Sequence, residues 1–403
     1  MTAAVRLGVT ELRGATVGVA GMHAAVSNRV FGLLGRRAAP VRVLHDDVAT
    51  AVYRALHGLT GLLGAGAVAA LSRARRTPDL SVTARGTAAL GIVNGLIGDD
   101  LHRRADPLAV PLSIRVDGRP VAPTADALAA AFPDASGRIV VFLHGLMESE
   151  RGWWAGGRET GYPERLRVEL DWTPLELRYN TGRHISENGR ALAELLAGVV
   201  AGWPVPVRRI ALVGHSMGGL VARSGAHFAH TAGDAWPALV SHVVTLGSPH
   251  LGAPLAGIVH HASAALAMLP ETAPVARFLR RRSDGIRDLR HGSLVDEDWS
   301  GRDPDGLRAE AQAEVPLLPG AVHCFVAATL GGHERHPLGR VFGDVMVMPG
   351  SAFGRGRRRR LPEPEHGVLL GSANHFTLLN HPVVHQRLRA WLDAPTPTDQ
   401  YPS

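Results

Sequence analysis

Ser216 stands in "IALVGHSMGGLVARSGAHF" (210–228), with Gly214 two residues before it and Gly218 two after. An apolar run precedes the serine, and small and apolar residues follow. This is the pattern of a nucleophile on a tight strand-to-helix bend. Reversing from strand to helix within about one residue drives the central side chain into a strained, positive-φ backbone. The bend lifts the hydroxyl above the sheet edge. Positions two before and two after then crowd strand against helix, and only glycine leaves room. The amide of Met217 opens the helix toward the same space, where the helix dipole favours negative charge.

A serine hydroxyl needs a base to become a nucleophile, and its tetrahedral adduct needs donors for the developing oxyanion. Met217 offers one backbone N–H. "VVFLHGLMES" (140–149) offers the second: an apolar strand ends at His144-Gly145, and Leu146 follows, with Met147 next in line. The predicted oxyanion hole is therefore Leu146 and Met217.

Twenty-one histidines compete for the base. On a sheet of this kind the chain order is serine, acid, histidine, which confines the base to the far C-terminal part. His375, in "GSANHFTLLNHP" (371–382), lies in a loop before the last helix and ranks first. His381 precedes Pro382 at a helix start and reads as structural, as a cap partner. His385 falls inside the helix, and His366 in a loop flanked by glycine and proline. For the acid, Glu334, Asp344, Glu363 and Glu365 are available. Asp344, in "VFGDVMVMPGSA" (341–352), sits beside apolar residues as a carboxylate at a strand end would. Glu363 and Glu365 read as an exposed loop.

The elements that must hold these residues are also legible. Continuous apolar runs at 138–145, 173–180, 208–216, 241–249 and 321–330 alternate with helical spacing, as at Leu192, Leu195, Leu196 and Val199, and the chain closes on a helix over 381–392. Uniformly apolar strands separated by helices predict a parallel sheet covered on both faces. Asp117-Gly118, between two short β-runs in 108–123, predicts a hairpin. Residues 1–108 read as a helical N-terminal extension with helices at 10–35, 46–71 and 83–104, diluted by glycines that cost up to about 1 kcal/mol each. Residues 109–395 form the main α/β domain, with an insertion over about 250–320 that can act as a lid, and 396–403 a flexible tail.

The chain has 403 residues, 45% hydrophobic and 20% charged, with a net charge of +7. All 43 basic residues are arginine. The basicity fits compositional drift, or attraction to an anionic membrane surface. The short basic run 354–360 reads as a solvated loop. Cys324, the single cysteine, lies in an apolar strand and reads as a small buried hydrophobe. With no disulfide framework and no secretory signal, a cytoplasmic setting is expected, with membrane association as a variant of it. The apolar stretch 55–72, interrupted by His57 and Thr60, is too broken for a transmembrane helix.

"HGLMES", "GHSMGGL", "LGSPHLGAPL", "GDVMVMPGSA" and "NHFTLLNHP", in that order, resemble the α/β-hydrolase superfamily. The likeness is to its lipase and esterase branch, including lipases and inositol-deacylase-like proteins, and covers roughly 110–395. The resemblance implies an α/β-hydrolase fold with Ser216, Asp344 and His375 as triad. It also implies that Ser248, Pro249 and His250 shape the site. One departure is that Val345, not glycine, follows Asp344. It implies attack of Ser216 on an acyl carbonyl, an acyl-enzyme and hydrolysis by water, with no metal or organic cofactor.

The leading expectation is a carboxylic-ester hydrolase acting on a small-molecule or lipid ester with an apolar acyl group. Peripheral membrane contact is compatible with it, and no nucleic-acid partner is expected. Two readings stand beside it: an acyltransferase using the same acyl-enzyme, and a membrane-surface or partner-binding protein with a vestigial site.

Overall fold

The computed structural model describes residues 81–253, 283–303, 312–331, 344, 346–356 and 359–394. All fall in one compact unit, Ser81–Ile258 with Arg282–Ser403. The helices expected at 10–35 and 46–71, much of the expected lid, and the tail 396–403 lie outside the described residues.

In chain order the unit contains α1 (Ala84–Arg103), β1 (Ser113–Val116), β2 (Arg119–Val121), α2 (Ala125–Ala131), β3 (Arg138–Leu143), α3 (Tyr162–Leu170), β4 (Thr173–Arg178) and α4 (Ile185–Gly202). There follow β5 (Arg209–His215), α5 (Met217–Ala232), β6 (Val240–Leu246), α6 (Asp284–His291), β7 (Val322–Thr329), β8 (His366–Gly371) and α7 (Pro382–Asp393). One eight-stranded sheet has the order β2-β1-β4-β3-β5-β6-β7-β8. Strand β1 runs antiparallel to β2 and β4, and the remaining pairs are parallel.

The alternation of side chains along each strand divides the core in two. Ile139, Val141 and Leu143 of β3 face Leu192, Leu196 and Val199 of α4 and Leu220 and Val221 of α5. Val140 and Phe142 face Leu166 of α3 and Val384, Leu388 and Leu392 of α7. Burial on both faces explains the unbroken apolar runs. Cys324 is buried in β7, and burial pushes its thiol pKa up. The hairpin turns at Asp117 and Gly118, both with positive φ.

One element differs from the sequence-based expectation. His366 does not lie in a loop: it opens β8, the edge strand beside β7. The strand is largely exposed apart from Leu370, so it lacks the apolar signature of its neighbours.

Helix α1 begins with Thr83 accepting the Gly86 N–H at 3.1 Å. Its start is tied to the sheet by Arg178, which donates to the Ser81 carbonyl oxygen at 2.7 Å and pairs with buried Glu150. Among the described residues, no helix is long and apolar enough to cross a membrane.

Candidate active site

Parallel strands carry their following loops to one edge, where ligands meet such sheets. The loops after β3, β5, β6 and β7–β8 converge there. Ser216 links β5 to α5 with φ 53° and ψ −121°. Such a backbone costs about 1–3 kcal/mol and persists only where the surroundings enforce it. Here they do. The Ser216 N–H donates to the Leu246 carbonyl oxygen at 2.8 Å. A Cβ on Gly214 would stand 2.3 Å from the Gly219 nitrogen. Strand and helix therefore touch backbone to backbone on both sides of the serine.

His375 opens a single 3-10 turn, His375–Leu379, capped by Asn374, whose side chain accepts the Thr377 N–H at 3.0 Å. Its Nδ1 lies 2.7 Å from Oδ2 of Asp344, and both side chains are almost fully buried. The other oxygen, Oδ1, accepts the N–H groups of Met346 and Val347 at 2.9 and 2.6 Å. The His375 N–H bonds back to the Asp344 carbonyl oxygen at 3.2 Å. The carboxylate is thus fixed at both oxygens and can hold the imidazole with its proton on Nδ1. That leaves Nε2 as the free ring nitrogen, buried and without a hydrogen-bond partner. The ring stands beside the serine bend: it packs on Gly247, where a Cβ would come within 3.1 Å of His375 Cε1, and 4.7 Å from the His215 ring.

The competing acids and bases are engaged elsewhere. Glu363 pairs with Arg355 and Arg360 on the surface. Glu365 accepts the His323 N–H at 2.7 Å. His381 caps α7 by accepting the Val383 N–H at 3.2 Å, and His366 stacks on Trp391. Glu334 lies outside the described residues.

In the loop after β3, the Gly145 N–H donates to Glu148 at 2.8 Å and the Met147 N–H to Thr181 Oγ1 at 3.2 Å. Leu146 N–H between them is engaged by neither, and Met217 N–H starts its helix with no intrahelical acceptor. The strand end is braced by His144, which stacks on Tyr179 at 4.4 Å. Burial holds the His144 pKa down, so the ring is neutral: Nδ1–H donates to the Gly145 carbonyl oxygen at 2.9 Å and Nε2 accepts the Tyr179 N–H.

His250 of the Ser-Pro-His stretch is fully buried and bonded to Arg223 of α5 and Thr245 of β6. Its Nδ1 accepts from Arg223 at 3.2 Å, and its Nε2–H donates to Thr245 Oγ1 at 3.1 Å. Burial, and then Arg223, keep it neutral.

Sequence reasoning did not single out Glu148 and His215. His215 is fully buried and pairs with Glu148 at 3.1 Å. Burial alone would raise the Glu148 pKa, but the His215 charge and hydrogen bond, with the Gly145 N–H, hold it down to about 2. The only hint in the sequence was proximity to the two motifs, His215 next to the serine and Glu148 next to Met147. Among the described residues, no group of three or more His, Cys, Asp or Glu is placed to hold a metal.

Residues 134–266 match the family described as "PGAP1-like alpha/beta domain", a span that includes Ser216, Leu146 and Met217 but neither Asp344 nor His375. No curated protein sequence matches the chain significantly. Among solved structures, it is similar to a hyperthermophilic esterase from the archaeon Pyrobaculum calidifontis, at 17% identity over 63% of this chain and 74% of that one, with a TM-score of 0.35. A membrane phospholipase A described as a bacterial virulence factor is 16% identical over 64% of this chain and 78% of its own, with a TM-score of 0.34. The NocB thioesterase domain, solved as a covalent complex with a fluorophosphonate nocardicin G analogue, is 16% identical over 65% of this chain and 97% of its own, with a TM-score of 0.32.

Proposed function

We propose that the chain is a lipase/esterase-like hydrolase that cleaves carboxylic esters through an acyl-enzyme on Ser216, a reading supported by the PGAP1-like alpha/beta domain matched over 134–266 and by the eight-stranded, mostly parallel sheet. The observation that carries this reading is the Asp344–His375 pair, 2.7 Å apart and buried, with the imidazole 4.7 Å from the ring of His215, the residue before a serine held at φ 53°.

Ser216 Oγ attacks the acyl carbonyl carbon while His375 Nε2 takes its proton. Asp344 holds Nδ1–H and stabilises the imidazolium that forms. The carbonyl oxygen becomes an oxyanion, which accepts from the N–H groups of Leu146 and Met217. One such donor typically contributes about 10²–10³ in rate. Collapse breaks the ester C–O bond, and His375 Nε2–H protonates the departing alkoxide. Water, deprotonated by the same nitrogen, then releases the acid and restores the serine. Phe376, 58% exposed and standing edge-on against the His375 ring, offers an apolar wall. It supports an apolar acyl group, and with it a small-molecule or lipid ester as substrate.

The test is a series of p-nitrophenyl esters of increasing chain length, assayed with the wild type and with Ser216→Ala. Turnover should depend on Ser216 and rise from acetate toward longer chains. No serine-dependent turnover on any ester would sink the reading. Added alcohols, with product analysis, separate hydrolysis from acyl transfer.

A further inference from the structure

The pair that sequence reasoning missed ties three parts of the site together. Glu148 belongs to the loop that carries Leu146. Its Oε2 accepts the Gly145 N–H at 2.8 Å, so the carboxylate folds back on its own loop. Both of its oxygens lie near His215 Nδ1, at 3.1 and 3.2 Å. His215 immediately precedes Ser216. Its other nitrogen, Nε2, lies 3.2 Å from the carbonyl oxygen of His375. One carboxylate and one imidazole therefore join the loop of the expected oxyanion donor, the residue before the serine, and the backbone of the expected base.

The hydrogen-bond roles fix the charge on the ring. A carbonyl oxygen only accepts, so Nε2 carries a proton. An ionised carboxylate only accepts, so Nδ1 carries one as well. His215 is then an imidazolium, fully buried, with Glu148 as its counter-ion. We propose that the Glu148–His215 ion pair is a positioning device that holds the oxyanion loop and the His375 loop in register around Ser216, and that it works only while His215 keeps both ring protons. The proposal rests on the reading of Ser216 and His375 given above.

The surroundings of His215 agree. Burial disfavours its charge, but the Glu148 charge and hydrogen bond, the His375 carbonyl oxygen and the Asp344 charge together outweigh burial and raise its pKa. The groups facing it are Glu148 from the loop after β3, the carbonyl and ring of His375, the Phe376 ring, the edge of Trp153 and, farther off, Asp344. The charged groups among them are carboxylates, and His144 on the Glu148 side is neutral. Neither Glu148 nor His215 touches a reacting atom in the proposed mechanism. Their effect runs through Leu146 and His375.

The test compares the wild type, Ser216→Ala and Glu148→Gln, on p-nitrophenyl butyrate across pH 5 to 10. Glu148→Gln keeps an acceptor for the Gly145 N–H but removes the counter-charge. We expect kcat to fall roughly 10- to 100-fold, the size of effect that small misplacements of catalytic groups produce, with KM little changed. The alkaline limb of the kcat profile should also move to lower pH, because His215 without its carboxylate releases a ring proton more easily. A folded variant with kcat within twofold of the wild type overturns the proposal, and so does a loss of kcat that leaves the pH profile where it was. Should the variant fail to fold, nitrogen-15 NMR of the wild-type histidines decides the matter: a singly protonated His215 at pH 7 overturns the proposal, and two ring N–H groups support it. Failure of the Ser216 reading is a separate outcome, seen as wild-type turnover unchanged in Ser216→Ala.

Discussion

Gly218 and Leu143 meet without an intervening side chain: a Cβ on Gly218 would stand 2.2 Å from the Leu143 carbonyl oxygen and 2.8 Å from that of His144. Both obstacles are backbone at the end of a central strand, so neither can swing away. Gly218→Ala should push the start of α5 off β3 and carry Ser216 and the Met217 N–H with it. Overpacking of this kind costs about 1–3 kcal/mol. The shift should also lower labelling of Ser216 by a fluorophosphonate about 100-fold, since a misplacement near 1 Å has that effect. Thermal melting and the labelling rate check both halves. Unchanged labelling at an unchanged melting temperature would mean that the bend tolerates a methyl group.

Asp344→Asn tests the acid. The asparagine can still accept the N–H groups of Met346 and Val347, so the loop should keep its shape. What it loses is the carboxylate that holds His375 with its proton on Nδ1. Turnover should fall by about 10³–10⁴, as expected where the imidazole adopts the wrong tautomer. Circular dichroism should show an intact fold. Near-normal turnover would move the role to another carboxylate, and Glu363 and Glu365 are both committed to partners elsewhere.

The parts of this arrangement that were readable from sequence share one property. Each rests on contacts within a few residues or on burial of a whole run. Ile139, Val141, Leu212 and Val243 are buried on a covered sheet, so their strands announce themselves as apolar runs. The serine bend is a local steric pattern of five residues. Strand β8 was missed because an edge strand buries little: His366 and Gly367 are exposed, and prolines precede them. The Glu148–His215 pair was missed because its members lie 67 positions apart. Nothing in "HGLMES" says that its glutamate turns toward the residue before the serine. By propensity alone the glycines of α1 weaken the helix. In the folded chain Gly91, Gly95 and Gly98 line the face that meets Glu148, Met147 and Asn180. Low propensity there is what close packing requires.

That face leads to a prediction about the helix itself. A Cβ on Gly91 would stand 2.6 Å from the Glu148 carbonyl oxygen and 2.9 Å from that of Met147. On Gly95 it would meet the Met147 Cγ at 2.3 Å, in the middle of a flexible side chain, and the Met147 Cα and Cβ less closely, at 3.2 Å. Gly91→Ala should therefore displace the loop that carries Leu146, whereas Gly95→Ala needs a new Met147 rotamer and a shift of only a few tenths of an ångström in the Met147 backbone. Turnover on p-nitrophenyl butyrate should drop roughly 10-fold or more for Gly91→Ala, in line with loss of part of one oxyanion donor. It should drop less for Gly95→Ala. Equal effects of the two substitutions would argue that α1 acts on stability alone.

Stability against pH should report on Glu176, which lies on β4. Its carboxyl is buried; burial raises its pKa to about 7, against a hydrogen bond from Trp154 Nε1 at 2.6 Å that lowers it. The unfolded chain has the ordinary value of 4.5. A carboxyl with a raised folded pKa binds its proton more tightly in the folded state. Stability from this group is therefore complete below the unfolded value, falls as pH rises from about 4.5 to about 7, and stays low beyond. A shift of this size corresponds to about 3 kcal/mol. Glu176→Gln removes the titration and keeps an acceptor for the indole N–H. It should raise the melting temperature at pH 8 by roughly 5 °C and change it little at pH 4, where the native carboxyl already carries its proton. Melting curves at the two pH values decide the point, because a gain of the same size at both would mean that Glu176 is not ionised under strain.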